Sequence, residues 1–131
     1  MIIADSDVLV DYLRDRAPMA GRVALELEAR GFATTAVTAA ELWVGARTPR
    51  QVAAVETLLA AMTVSPLDVD AARAGGEIRR DLIKRGEDIG MADCLIAGIC
   101  VTQRGVLLTR NHKHFGRIPA LKLTVARGEE L

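Results

Sequence analysis

The chain has 131 residues, half of them apolar and only 3% aromatic, which suits one domain with an aliphatic core and leaves no length for two. Seventeen Lys and Arg balance seventeen Asp and Glu, which argues against a polybasic nucleic-acid coat, and the apolar content argues against intrinsic disorder. The start, MIIADSDVLVDYL, lacks the basic flank of a signal peptide, and no run of ~18 apolar residues exists, so a soluble, cytoplasmic protein without a membrane span is expected.

Ile2 to Asp5 reads as a short buried strand ending in an acid, followed by a helical apolar pattern over Val8 to Leu13. Pro18 fits the first turn of a second helix that runs to the Arg30-Gly31 stop. Phe32 to Thr35 is the second strand, and Thr38 is the expected N-cap of the helix TAAELWVGA. Gln51 to Met62 is another helix, and Thr63 to Ser65 a third strand. Asp68 can cap a long helix reaching Arg85, with Gly86 as its stop. Met91 to Arg104 is an apolar helix closed by Gly105. Val106 to Leu108 form the fourth strand, LLTRNHKHF continues into a polar loop, and Leu121 to Val125 make a fifth strand. Short apolar strands alternating with helices indicate an α/β fold: one short parallel sheet of four or five strands, with helices on both faces. Without repeats or linkers, residues 1–131 read as a single domain.

Cys94 and Cys100 lie six apart on one expected helix, a rotation of about 600° that puts them on different faces. They read as buried, reduced thiols, and their spacing is not that of a zinc site.

The neutral total hides an uneven distribution. From Cys94 through Gly128 there is no acid, but Arg104, Arg110, Lys113, Arg117, Lys122 and Arg127 fall there. Acids crowd instead at Asp5, Asp7, Asp11 and Asp15 and between Glu77 and Asp93. If carboxylates converge inward on one site, the remaining surface is net positive and can meet a polyanion.

In parallel α/β sheets the ligand site lies outside the carboxyl ends of the strands, at a reversal of strand order. Asp5 stands at such an end, with Asp7 two residues beyond, and Asn111 follows the fourth strand. Asp93 occupies the first turn of GMADCLIAGIC, and Glu41 sits in a helix among Ala39, Ala40 and Leu42. Acids set in apolar helix faces are expensive to bury unless something offsets their charge. Oxygen-only donors gathered together suit Mg²⁺, with Mn²⁺ as a substitute, better than zinc. Taken one at a time, the same acids would serve as helix caps, dipole partners or surface residues.

Four segments in chain order resemble PIN-domain ribonucleases of the VapC toxin type: IIADSDVLVDYL, TAVTAAELWVGA, IGMADCLIAGIC and LLTRNHKHFGRIPALKL. The resemblance implies a metal-dependent endoribonuclease with Asp5, Glu41 and Asp93 as metal ligands and catalytic acids. Asn111 falls at a fourth catalytic position that is often Asp in the family, and Asp7 is a further ligand candidate. Ser6 and Thr109 are supporting hydroxyls. Metal-activated water would cleave RNA, transfer RNA among the targets considered, leaving 5′-phosphate and 3′-hydroxyl ends. The resemblance also implies a VapB-type antitoxin partner and a homodimer. Apolar residues on the first helix (Val8, Leu9, Tyr12, Leu13) and on the long helix after Asp68 point to the homodimer as well.

Arg14, Arg16, Arg47, Arg50, Arg110 and Lys113 are the bases expected to rim the cleft and track phosphates. His112 and His114 read as surface or RNA-contact residues, and Trp43 as packing or interface. Two rivals share parts of the pattern. A haloacid-dehalogenase-like phosphatase starts with a similar Asp-x-Asp, but Val8-Leu9-Val10 stands where its Gly/Thr is expected. A non-catalytic RNA- or partner-binding module would account for a neutral Asn111.

Overall fold

A computed structural model describes residues 1–124; Val125, expected in the last strand, and Arg127, counted among the bases, lie outside the described residues. Five strands form one fully parallel sheet: β1 (Ile2–Ala4), β2 (Phe32–Thr35), β3 (Thr63–Ser65), β4 (Val106–Leu108) and β5 (Lys122–Thr124). Among the described residues seven helices connect and cover them: α1 (Ser6–Leu13), α2 (Met19–Glu28), α3 (Ala36–Gly45), α4 (Pro49–Ala60), α5 (Val69–Lys84), α6 (Met91–Thr102) and α7 (His112–Phe115). The α/β architecture with helices on both faces is as the alternation of elements implies.

The strand order is β3-β2-β1-β4-β5, so β1 is central and the order reverses between β1 and β4. Register explains the two cores. Ile3 pairs with both Ala33 and Leu107, and these three point to one face. There they join Leu82, Ile96, Ala97, Cys100 and Phe115 from α5, α6 and α7. Ala4, Phe32 and Leu108 point to the other face, against Val8, Leu9, Val23, Leu42 and Leu58. Cys94 and Cys100 are buried free thiols, and burial pushes the Cys100 thiol up to about 12.

Several boundaries differ from the sequence expectation, most of them because a side chain caps earlier than periodicity suggests. β1 ends at Ala4, and Asp5 is the N-cap of α1, which therefore starts at Ser6. The N-cap of α3 is Thr35: its hydroxyl accepts the Thr38 N–H at 3.0 Å, so Thr38 lies inside the helix. Thr48 and Gln51 form a reciprocal capping box that starts α4 at Pro49, ahead of Gln51. Pro18 is the N-cap residue of α2, which ends before Arg30. His112 to Phe115 form a helical turn where a polar loop was expected, because Asn111 caps it and Phe115 is drawn into the core.

Val8 and Leu9 are fully buried within the single chain, and Tyr12 and Leu13 pack against the same cluster. Packing of α5 on α6 is set by two glycines. A Cβ on Gly98 would sit 2.5 Å from the Ala71 carbonyl oxygen and 2.6 Å from the Gly75 nitrogen, so only hydrogen allows this approach. Among the described residues no helix is long and apolar enough to cross a membrane.

Candidate active site

The β1–β4 reversal opens the sheet edge where the chemistry-bearing residues gather. The Asp5 N–H donates to the Leu108 carbonyl at 2.9 Å, tying the ends of the two strands together. Asp5 is 5% exposed. Its Oδ1 accepts the Ser6 N–H at 2.8 Å, and its Oδ2 accepts the Thr109 hydroxyl at 2.7 Å. Thr109 is fully buried, and its Oγ1 in turn accepts the Asn111 N–H at 3.0 Å. The same Oγ1 lies 3.4 Å from Asp7 Oδ2, but its one hydrogen is best spent on the nearer Asp5.

Asp7, on the first turn of α1, accepts the Arg110 backbone N–H at 3.1 Å through Oδ2 and at 3.3 Å through Oδ1. One turn further on, buried Asp11 holds the Arg110 guanidinium, with Nε 2.7 Å from its Oδ2. Glu41 comes from α3 and Asp93 from the first turn of α6. The Ser6 side chain lies close enough to the Glu41 carboxylate to hold its pKa down. Both supporting hydroxyls, Ser6 and Thr109, are therefore turned toward carboxylates.

All four acids are held above the usual carboxylate range. Asp5 is pushed up to about 7, first by burial and next by the charge of Asp7, with Asp93 adding less; the bonds from Thr109 and Ser6 oppose this. Burial raises Asp7, and Arg110 counteracts it. Glu41 is raised by burial and then by Asp93 and Asp7, against the effect of Ser6. Asp93 is raised by burial and by Asp7, while His114 lowers it. Glu41 stands in an exposed stretch of α3, so water screens its share of the repulsion most. Acids from α1, α3 and α6 thus feel one another at one edge and lack enough positive charge to balance them.

This donor set fits a hydrated divalent cation. Among the described residues no three His, Cys, Asp or Glu side chains converge tightly enough to cage an ion by themselves. Mg²⁺ rarely asks for such a cage, because it keeps several waters and binds through one or two carboxylates plus substrate phosphate. Asp5, Asp7, Glu41 and Asp93 are the residues that would hold it.

Asn111 is occupied by local structure: as N-cap of α7 its Oδ1 accepts the His114 N–H at 3.4 Å, and its Nδ2 lies 3.2 Å from His114 Nδ1. His114, expected in a polar loop, is thereby placed beside Asn111 and within electrostatic reach of Asp93. Arg14 lines a groove of about 180 Å³ together with Glu41, Leu42 and Gln51. Larger concavities lie elsewhere: about 630 Å³ between α1, α2 and α4, where Arg50 is found, and about 500 Å³ between α5, α6 and residues 118–120. Arg16, Arg47 and Lys113 are exposed. The role of Asp11 was missed, although it follows Asp7 by one helical turn in the same acidic run.

The sequence profile of the PIN domain matches residues 2–121. Ribonuclease VapC10 of Mycobacterium tuberculosis is 34% identical over 122 residues, covering 93% of this chain and 91% of that protein. The tRNA(fMet)-specific endonuclease VapC of Salmonella typhimurium is 34% identical over 74 residues, 56% of each chain. The crystal structure of DNA-bound VapBC from Salmonella typhimurium superposes with a TM-score of 0.84 at 26% identity, covering 95% of this chain and 97% of that one. The chain belongs to the PIN domain family, among relatives that are VapC ribonucleases.

Proposed function

We propose that this protein is a divalent-metal-dependent endoribonuclease, the toxin of a VapC-type toxin–antitoxin pair acting in the cytoplasm. The observation that carries this reading is the gathering of Asp5, Asp7, Glu41 and Asp93 at the β1–β4 edge, with every carboxyl displaced upward. When bound there, Mg²⁺ or Mn²⁺ would lower the pKa of a water and neutralise charge growing on the scissile phosphate. Asp5, Glu41 and Asp93 are assigned as metal ligands and catalytic acids, with Asp7 as an additional ligand. Thr109 orients Asp5 and Ser6 orients Glu41. Asn111 contributes no charge, and its amide holds His114 near Asp93. Arg14, Arg47 and Lys113 are the bases assigned to RNA phosphates, Arg14 because it shares a groove with Glu41.

A VapB-type antitoxin is the proposed partner, since similar folds occur in VapBC complexes. A homodimer remains part of the proposal, supported by Trp43 and Val44 on α3, which are 40% and 82% exposed, and by the half-buried Tyr12 and Leu13 of α1. Transfer RNA is the proposed substrate class, on the strength of the Salmonella relative.

The test is cleavage of total cellular RNA by the purified protein and by Asp93→Asn, each in Mg²⁺, Mn²⁺ and EDTA, with product ends mapped. Discrete cuts that need metal, carry 5′-phosphates and vanish in the variant are expected. Cleavage in EDTA, or 2′,3′-cyclic phosphate ends, would overturn the mechanism. Binding without cutting under any condition would favour the non-catalytic module that the neutral Asn111 also suits.

A further inference from the structure

Asp11 is a buried acid, 6% exposed, lying one helical turn beyond Asp7 and outside the set of assigned metal ligands. Burying a carboxylate is tolerable only when it is paired and hydrogen-bonded. Its partner is Arg110, with Nε at 2.7 Å from Oδ2 and Nη2 at 3.5 Å from Oδ1, a two-nitrogen contact formed 99 residues away in sequence. Arg110 stands between Thr109, whose hydroxyl binds Asp5, and Asn111, whose N–H binds Thr109. Its own backbone N–H donates to Asp7. Two consecutive residues after β4, Thr109 and Arg110, are therefore anchored to Asp5, Asp7 and Asp11 along the start of α1, and only the Asp11 anchor uses a charged donor.

We propose that Asp11 is a positioning residue. By holding the Arg110 guanidinium it fixes the Thr109–Asn111 segment that orients the Asp5 and Asp7 carboxylates, and Arg110 is a strut of the site and not one of its RNA contacts. The inference rests on the metal-nuclease reading for its chemistry. Its geometry is independent of that reading. Without the strut, the 109–111 segment keeps only neutral-donor hydrogen bonds to α1, and the two carboxylates lose their fixed orientation toward a shared ion. Groups that orient metal ligands from behind typically change affinity by roughly 10- to 100-fold when removed.

The experiment uses the full chain and its variants Asp11→Asn, Asp11→Glu, Arg110→Gln and the Asp11→Asn/Arg110→Gln double variant, with Asp93→Asn alongside. Mn²⁺ binding to the RNA-free protein is read by electron paramagnetic resonance. RNA binding is read in EDTA as a function of salt, and cleavage as separate kcat and KM. Asp11→Asn and Arg110→Gln are each expected to weaken Mn²⁺ binding roughly 10-fold or more. The double variant should be no worse than either single change, since both remove one interaction. Asp11→Glu should recover part of the loss, and the fall in cleavage should sit in kcat. The salt slope of RNA binding should be unchanged in Arg110→Gln.

A salt slope reduced by about one in Arg110→Gln, with tighter RNA binding in Asp11→Asn, would make Arg110 a phosphate contact and overturn the proposal. Mn²⁺ affinity within twofold of wild type in both single variants would overturn it too. If either single variant does not fold, the double variant carries the same test, because it removes the pair without leaving a buried carboxylate unpartnered. No cleavage by the unaltered protein in any metal would instead sink the nuclease reading, and retained cleavage in Asp93→Asn its ligand assignment, whatever the strut variants do.

Discussion

Thr109 donates its buried hydroxyl to Asp5 at 2.7 Å across the seam between β4 and β1, where the strand order reverses. The bond joins residues 104 apart in sequence and opposes the burial that drives the Asp5 carboxyl upward. Thr109→Val keeps the shape and removes the donor. Asp5 should then protonate at still higher pH, and metal affinity should fall roughly 10- to 100-fold. Mn²⁺ titrations at several pH values would show the binding midpoint moving to higher pH; an unmoved midpoint would deny the hydroxyl this role.

The raised carboxyls also make a prediction about stability without metal. Asp5 holds its proton up to about 7 in the folded chain, against 3.8 when unfolded. Between those values the folded state binds more protons, so stability is full below about pH 4 and declines as pH rises toward 7. Asp7, Glu41 and Asp93 are raised too and act with the same sign. For Asp5 the loss is on the order of 4 kcal/mol above pH 7. Asp5→Asn should therefore raise Tm by several degrees in EDTA at pH 8 while abolishing metal-dependent cleavage. Thermal melts of both proteins from pH 4 to 8 test this, and an equal or lower Tm for the variant at pH 8 would contradict the assignment.

Asn111→Asp would add one carboxylate at the same edge while keeping an oxygen to cap the His114 N–H. More ligand charge tightens a hard-cation site, so Mn²⁺ should bind about tenfold more strongly. Cleavage should then need less metal, measured as the Mg²⁺ concentration for half-maximal rate.

Gly98→Ala tests the packing that places Asp93. A Cβ there meets the Ala71 carbonyl and the Gly75 backbone, neither of which can rotate away, so α6 must shift from α5. Overpacking of this kind costs about 1–3 kcal/mol. Urea unfolding should show a lower midpoint with an unchanged m-value.

The sequence by itself determined the order and type of nearly every element, because short apolar runs, helical periodicity and cap residues act within a few residues of themselves. It also placed Asp5, Asp93 and Asn111 beside strand ends and helix starts, for the same local reason. Where two local signals competed it misread the start, as with Thr35 and Thr38: both hydroxyls lie in the cap region, and only the first adopts the extended backbone of an N-cap. Tertiary structure alone decided what depends on strand order. With β4 seated beside β1, Thr109 reaches Asp5, Arg110 reaches Asp7 and Asp11, and His114 comes within reach of Asp93. Burial then sorts charges that composition treats alike. Asp11 becomes an interior partner, and the Arg110 guanidinium, which sequence placed on the rim, turns to meet it, because a buried carboxylate without a counter-charge is too costly to keep.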